Sequence, residues 1–317
     1  MDPVANAPFV YPPTFLFIVR PLGLMPYEIA YVVWMMVTLA LLVWAIIACC
    51  TRLPLCVMIA IIAPASTATL DAGQNGFLFG ALIIAGIRLS PSRPILAGVL
   101  FGILAAKPQL AVFVPVALAA GGLWRTFSVA AVTAVTMAVL ATLVFGWACW
   151  PEWLTRLPGF DSVVNQYSGL WRLEPTVHAN LRVAGVDELT ANVAQGLAFV
   201  AVAIIIALCF RRSAGGLSAA ALLTGTILGT PYAFIYDLPM VSAAVVLFIQ
   251  ERAKDDFTFD VLEVLAVVLV LLFPVLMMLN GPPLPVSTLS LTLFFGVIVR
   301  RQFFAAARRP PLAVTVG

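Results

Sequence analysis

The chemistry available to this chain is held by a few polar residues set among apolar runs. Lys107-Pro108-Gln109 interrupts the run 100–115, and Asp71, Gln74 and Asn75 end another. Tyr232, Tyr236 and Asp237 follow a third, His178 is the only histidine, and Tyr11 opens the Tyr11-Pro12-Pro13 triplet. An ammonium inside a membrane-length apolar run is expensive, and it is retained there to meet a partner or a substrate. Carboxamides supply donors and acceptors to hydroxyl groups, and an imidazole can titrate near neutrality. The five cysteines show no metal-ligand spacing, and no other group offers enough ligands, so no metal site and no cofactor are expected. There is no Gly-x-Gly-x-x-Gly or phosphate-loop motif, and no nucleic-acid partner is expected.

The elements that position these residues are membrane helices. Of 317 residues, 63% are hydrophobic and 10% charged, with a mean hydropathy of +1.09, which excludes an ordinary soluble domain. The fold class is therefore all-α, a polytopic integral membrane protein forming a single membrane domain over 1–317. Window reading gives about 11 transmembrane or re-entrant helices, taking roughly 17–25 residues as a full span. They fall near 27–50, 53–70, 76–89, 94–106, 108–123, 126–147, 191–210, 216–230, 238–250, 259–280 and 284–299. Residues 1–26 read as an outer-face or interfacial segment without a cleavable signal, 148–190 as a long outer loop, and 300–317 as a cytoplasmic tail.

Charge orients the bundle. Alternating crossings gather Arg52, Arg88, Arg93, Arg125, Arg211, Arg212, Arg252, Lys254, Arg300, Arg301, Arg308 and Arg309 on one side, 12 of the 17 basic residues, and that side is assigned to the cytoplasm. The assignment requires a break at Pro108, which lacks the N–H a continuing helix needs. Lys107 then occupies an outward-facing hairpin turn. The same face receives Tyr11, Asp71, Gln74, Asn75, Gln109, His178, Tyr232, Tyr236 and Asp237. The membrane in question is the plasma membrane, with the C-terminus cytoplasmic and the polar face extracytoplasmic.

The order of these motifs carries a resemblance. Tyr-Pro-Pro near the start, Gly-Gln-Asn closing a span, Lys-Pro-Gln at a hairpin, FGWACWPEW opening the long loop and PYAFIYDL after another span resemble glycosyltransferase family 87 over residues 11–248. The resemblance implies a C-type membrane glycosyltransferase fold in a bacterial inner membrane. It also implies transfer of a sugar, mannose above all, from a polyprenyl-phosphate donor to a glycolipid or glycan acceptor, with membrane lipids as surroundings. Such a transferase needs a base, groups on the leaving phosphate and side chains that grip the sugar.

On that reading Lys107 and Gln109 are expected at the donor phosphate. Tyr11, Gln74, Asn75, Tyr232, Tyr236 and Asp237 are expected at the sugar or acceptor, with the two later tyrosines sharing one face if helical. Plainer roles compete: Lys107 as a headgroup anchor, Gln74 and Asn75 as helix caps, Asp237 paired to Arg156, Arg172 or Arg182, and Trp147, Trp150 and Trp153 as interfacial anchors. The catalytic residue is not identified; Asp237, His178 and Asp71 are weak candidates. The resemblance implies a catalytic aspartate on an outer loop before the Tyr-Pro-Pro motif, and Asp2 is too near the motif to serve. The base is thus expected before Met1, and the chain as given is expected to be weak or inactive. A secondary transporter and a truncated, non-catalytic membrane protein are the alternatives.

Overall fold

A computed structural model describes residues 10–48, 58–59, 61–166, 168–253, 258–279 and 286–304, with side chains described outside 158–170. Asp2, Cys49, Cys50, Cys56, Arg52, Lys254 and most of the tail lie outside the described residues. Every regular element among those residues is helical. The chain enters through α1 (Leu16–Val19), flanked by 3-10 turns at Pro13–Phe15 and Arg20–Leu24. There follow α2 (Tyr27–Ile47), α3 (Pro64–Asp71), α4 (Gly76–Leu89), α5 (Pro94–Ile103), α6 (Pro108–Ala111), α7 (Val114–Ala120) and α8 (Trp124–Phe145). The second half comprises α9 (Cys149–Gln166), α10 (Val177–Val183), α11 (Glu188–Arg212), α12 (Gly216–Gly229), α13 (Pro239–Ala253), α14 (Val261–Met278) and α15 (Val286–Phe304).

Two classes of helix sort by what surrounds them. α2, α8, α11 and α14 are long and apolar enough to cross a membrane. Each carries exposed apolar residues at helical spacing, such as Leu189, Val193, Leu197, Val200, Ile204 and Leu208 on α11, the surface a bilayer covers. α4, α12 and α13 are buried almost throughout and form the centre. At 14 residues, α4 and α12 are about 20 Å long, short of a bilayer's roughly 30 Å core, so neighbours rather than lipid satisfy them. Among the described residues, four apolar helices reach the length of a full span, and the short pieces among the expected 11 or so transmembrane or re-entrant helices include α4, α5 and α12.

The break at Pro108 is present. α5 runs into a 3-10 turn at Leu104–Ala106, Lys107 takes φ −144° and ψ 74°, and Pro108 starts α6 at the position where its missing N–H is harmless. The hairpin follows from packing. Gly98 lies against Thr126 and Val129 of α8, and Gly102 against Ala130 and Thr133, so α5 and α8 run parallel and 104–123 must bring the chain back. A Cβ on Gly98 would fall 2.5 Å from Val129, and one on Gly102 2.3 Å from Thr133. These two glycines, four residues apart, let the helices touch through their backbones, where packing replaces the hydrophobic effect as the driving force.

The long connection 148–190 is itself largely helical, carrying α9, a 3-10 turn at Ser168–Leu173 and α10. Thr176 caps α10 through Ala179 N, and Asp187 caps α11 through Thr190 N. α4 runs from Asn75 at one end of the bundle to Arg88, and α12 returns from Gly216, beside Arg88, to Gly229. The basic residues Arg252, Arg300 and Arg301 gather around Glu263, whose neighbour Arg252 is itself buried.

The parallel α5–α8 contact makes a direct prediction. Gly102→Leu is expected to destabilise the protein by at least about 1–3 kcal/mol through overpacking, whereas an apolar exchange at the exposed Val135 is expected to be nearly neutral. Thermal unfolding of the purified protein in detergent checks both.

Candidate active site

Three distant segments meet at one buried ion pair. Lys107 Nζ donates to Asp237 Oδ1 at 2.5 Å and to Asn75 Oδ1 at 3.0 Å, and the lysine and aspartate are only 3% and 1% exposed. Asn75 is the N-cap residue of α4, yet its side chain caps nothing and serves Lys107 instead. Asp237 closes a 3-10 turn, Ile235–Asp237, and its second oxygen accepts from Phe234 N at 3.1 Å. The rings of Tyr236, Tyr11 and Phe79 stand 5.2, 5.8 and 5.8 Å from Nζ, within range of cation–π attraction.

The backbone leaves no slack around this pair. A Cβ on Gly76 would come within 1.9 Å of Tyr236 O, so only glycine fits there, and Thr69 Oγ1 contacts the same carbonyl oxygen at 2.9 Å. Tyr11 OH donates to Gln74 Oε1 at 2.7 Å and its ring stacks on Phe15. Burial pushes the Tyr11 phenol up against the opposing pull of Lys107; burial, with Tyr11 and Asp237 next, raises Tyr236 well above the usual phenol range. Both phenols lie in connecting segments and remain neutral at physiological pH.

In front of this layer lies a cavity of about 1010 Å³, with Tyr11, Gln109, His178 and Tyr232 in its wall alongside Glu174, Trp153, Asn192 and Gln195. A second cavity, of about 560 Å³, borders Gln74, Asn75, Tyr31 and the apolar entry segment, and Tyr11 belongs to both. The wall of the larger one is pinned by Gln195: its Oε1 accepts from His178 N at 3.0 Å while its Nε2 donates to Gly229 O at 2.9 Å.

Residues 9–235 match the sequence model of glycosyltransferase family 87, well over half of the chain. The chain belongs to glycosyltransferase family 87. Its fold and composition agree with a membrane glycosyltransferase, which takes a sugar donor and an acceptor. Every sequence-selected residue of the larger cavity falls inside the family match, and Tyr236 and Asp237 fall just beyond it. No curated protein and no solved structure matches the chain.

Within this glycosyltransferase, the sequence-selected residues divide. Gln109, His178, Tyr232 and Tyr11 share the larger cavity; Gln74 and Asn75 border the smaller. Lys107, the residue expected at a phosphate or at lipid headgroups, is held by Asp237 and Asn75 behind Tyr11 and lines neither cavity. Asp237 pairs with Lys107 rather than with a loop arginine, and both its oxygens are engaged. Asp71 is exposed and lines neither cavity. Tyr232 and Tyr236 do not share a helical face; they lie on a bent segment, each packed on Phe234 between them. Trp153 lines the cavity and donates to Val10 O at 2.9 Å, whereas Trp147 is exposed. Sequence reasoning missed Glu174, Asn192 and Gln195, although Glu174 stands in the same EPTVH stretch as His178 and Gln195 is an amide inside an apolar span.

The ion pair sets a prediction with an internal control. Lys107→Met strands a buried carboxylate and is expected to destabilise by about 3–5 kcal/mol. Adding Asp237→Asn to that variant is expected to recover most of the loss. A double-mutant cycle of unfolding in detergent measures the coupling.

Proposed function

We propose that this protein transfers a sugar, mannose foremost, from a polyprenyl-phosphate donor to a hydroxyl of a glycolipid or glycan on the extracytoplasmic face of a bacterial inner membrane. The observation that carries the reading is the larger cavity. It gathers amides, phenols and an imidazole from sequence-distant segments at one end of a lipid-facing bundle, beside apolar walls suited to a lipid carrier. The basic residues Arg88, Arg252, Arg300 and Arg301 lie toward the other end, which the positive-inside rule assigns to the cytoplasm together with the C-terminus. A transferase facing away from the cytoplasm has no nucleotide sugar at hand, and a lipid-carried donor fits a chain without a nucleotide-binding motif.

In this reading Gln109 and His178 face the leaving phosphate, Gln109 through its amide N–H and His178 through its imidazole. Departure of a phosphate from an anomeric carbon gathers negative charge on oxygen, and fixed donors stabilise it. Asn192, Tyr11 and Tyr232 grip sugar hydroxyls. Gln74, Asn75, Tyr236, Lys107 and Asp237 form the layer behind, where the neutralised ion pair holds Tyr11 and Tyr236 in register.

Proteoliposomes containing the protein, radiolabelled polyprenyl-phosphate-mannose and crude membrane-lipid acceptors test the proposal. Transfer by the unaltered chain, weak as the family resemblance implies, with about a further 10–1000-fold fall for His178→Ala or Gln109→Ala, is the expected result. Retention of full turnover in both variants would show that the cavity is not the site.

A further inference from the structure

The proposed donor is an amphiphile, so a cavity that takes its phosphate must also let its chain out into the bilayer. The larger cavity descends along α11. Glu188, Asn192, Gln195, Gly196 and Phe199 of that helix stand in its wall, at the spacings of one helical face. From Glu188 to Phe199 the helix rises about 16 Å, roughly half the hydrocarbon core of a bilayer. Along that descent the lining changes from an acid and two amides to a glycine and an aromatic ring. The facing wall changes alike, from Pro108 and Gln109 at the start of α6 to Val112 after its end.

Gly196 is the weak point of this wall. A Cβ there would meet nothing within 4 Å, and the backbone is ordinary helix. A glycine inside a helix is costly against alanine, and neither packing nor backbone geometry calls for one here. Gly98, Gly102 and Gly229, by contrast, each face a neighbour that a Cβ would strike. Gly296 is open too, but it lines neither cavity. At about 100° per residue, Gly196 falls between Asn192 on the cavity stripe and Val193 and Val200, which are exposed on the face a bilayer covers. The missing side chain therefore leaves a notch at the seam between cavity and lipid. Beneath it the Phe199 ring packs on Phe113 at 4.9 Å, and Phe113 lies so close to Gly229 that a Cβ on that glycine would fall 2.6 Å from the ring. The notch has a fixed apolar sill.

Resting on the glycosyltransferase reading, we infer that the donor's isoprenoid chain leaves the larger cavity for the bilayer through this notch, between Gly196 and Phe199 on one side and Val112 on the other. Gln109 stands one turn before Val112, so a phosphate held by its amide has the apolar passage next to it. The chain-bearing end of the donor is thereby placed between α6 and α11, and its sugar is left facing Tyr11 and Tyr232. Contacts to the chain are the same before and during transfer, so they act on donor affinity and not on the chemical step.

The test uses the full chain in proteoliposomes and reads binding, whatever the rate of transfer. The protein is irradiated with polyprenyl-phosphate-mannose carrying a diazirine on the isoprene unit next to the phosphate, with and without excess unlabelled donor, and labelled peptides are identified by mass spectrometry. The expected result is competed labelling of the peptides that hold Val112 and residues 196–199. Gly196→Leu should keep its melting temperature, because the new side chain enters open space, yet lose at least about tenfold in donor affinity by tryptophan fluorescence titration. Leu197→Phe, on the face turned to lipid, should leave that affinity unchanged. Competed labelling confined to α2 and the entry segment overturns the passage and leaves the donor reading standing, as does full donor affinity in Gly196→Leu. A Gly196→Leu chain that fails to fold shows that the notch is not open space, and the labelling pattern of the unaltered chain then decides. Absence of competed labelling anywhere in the unaltered chain overturns the glycosyltransferase reading itself.

Discussion

A buried lysine is tolerable only with its charge answered, and the end of the bundle that holds both cavities is organised around that requirement. Nζ of Lys107 has one carboxylate, one carboxamide and three aromatic rings about it. In a low-dielectric interior the attraction within the pair is large, but so is the penalty for stripping water from both ions. The net stabilisation of such a pair against an apolar replacement is small. Its value lies in specificity: the arrangement is sound only when 75, 107 and 237 arrive together, and any other register leaves a bare charge inside.

That demand explains the local backbone. Lys107 can reach inward because the helix stops at Ala106 and restarts at Pro108, and the proline costs nothing as the first residue of the new turn. Asn75 can serve the lysine because it sits at the start of α4, where a side chain is ordinarily spent on capping. Asp237 can approach because residue 76 is glycine: a Cβ there would fall 1.9 Å from Tyr236 O. Packing without side chains recurs between α5 and α8, where Gly98 and Gly102 take the place of a hydrophobic seam. In both places the missing methyl group sets the distance between segments.

The sequence made the all-helical membrane fold legible, because long apolar runs with few charges leave little else possible. The break at Pro108 was legible too, since a proline flanked by a lysine and a glutamine has one good place in a helical hairpin. The pairing of Lys107 with Asp237 was not, because the two residues are 130 positions apart and each alone is compatible with a surface role. The helices of 149–183 were hidden for a different reason: the segment is polar, and its order comes from Thr176 as a cap and from Asn180 and Gln195 as tethers rather than from an apolar period. Glu174 has no periodic signature at all, and its place in the cavity wall is visible only in three dimensions.

The larger cavity consequently has two walls of different origin. The rear wall, Tyr11 and Tyr232, leans on the neutralised lysine layer and inherits its rigidity from a charge that must not be uncovered. The front wall, Glu174 and His178, hangs on side-chain-to-backbone hydrogen bonds from Asn180 and Gln195. Gln195 also holds Gly229, the last residue of the buried helix α12, so the strap and the bundle core share one tether. Such a division suits a reaction between two large substrates. Groups that recognise them need a fixed spacing, and the charged layer behind Tyr11 supplies one.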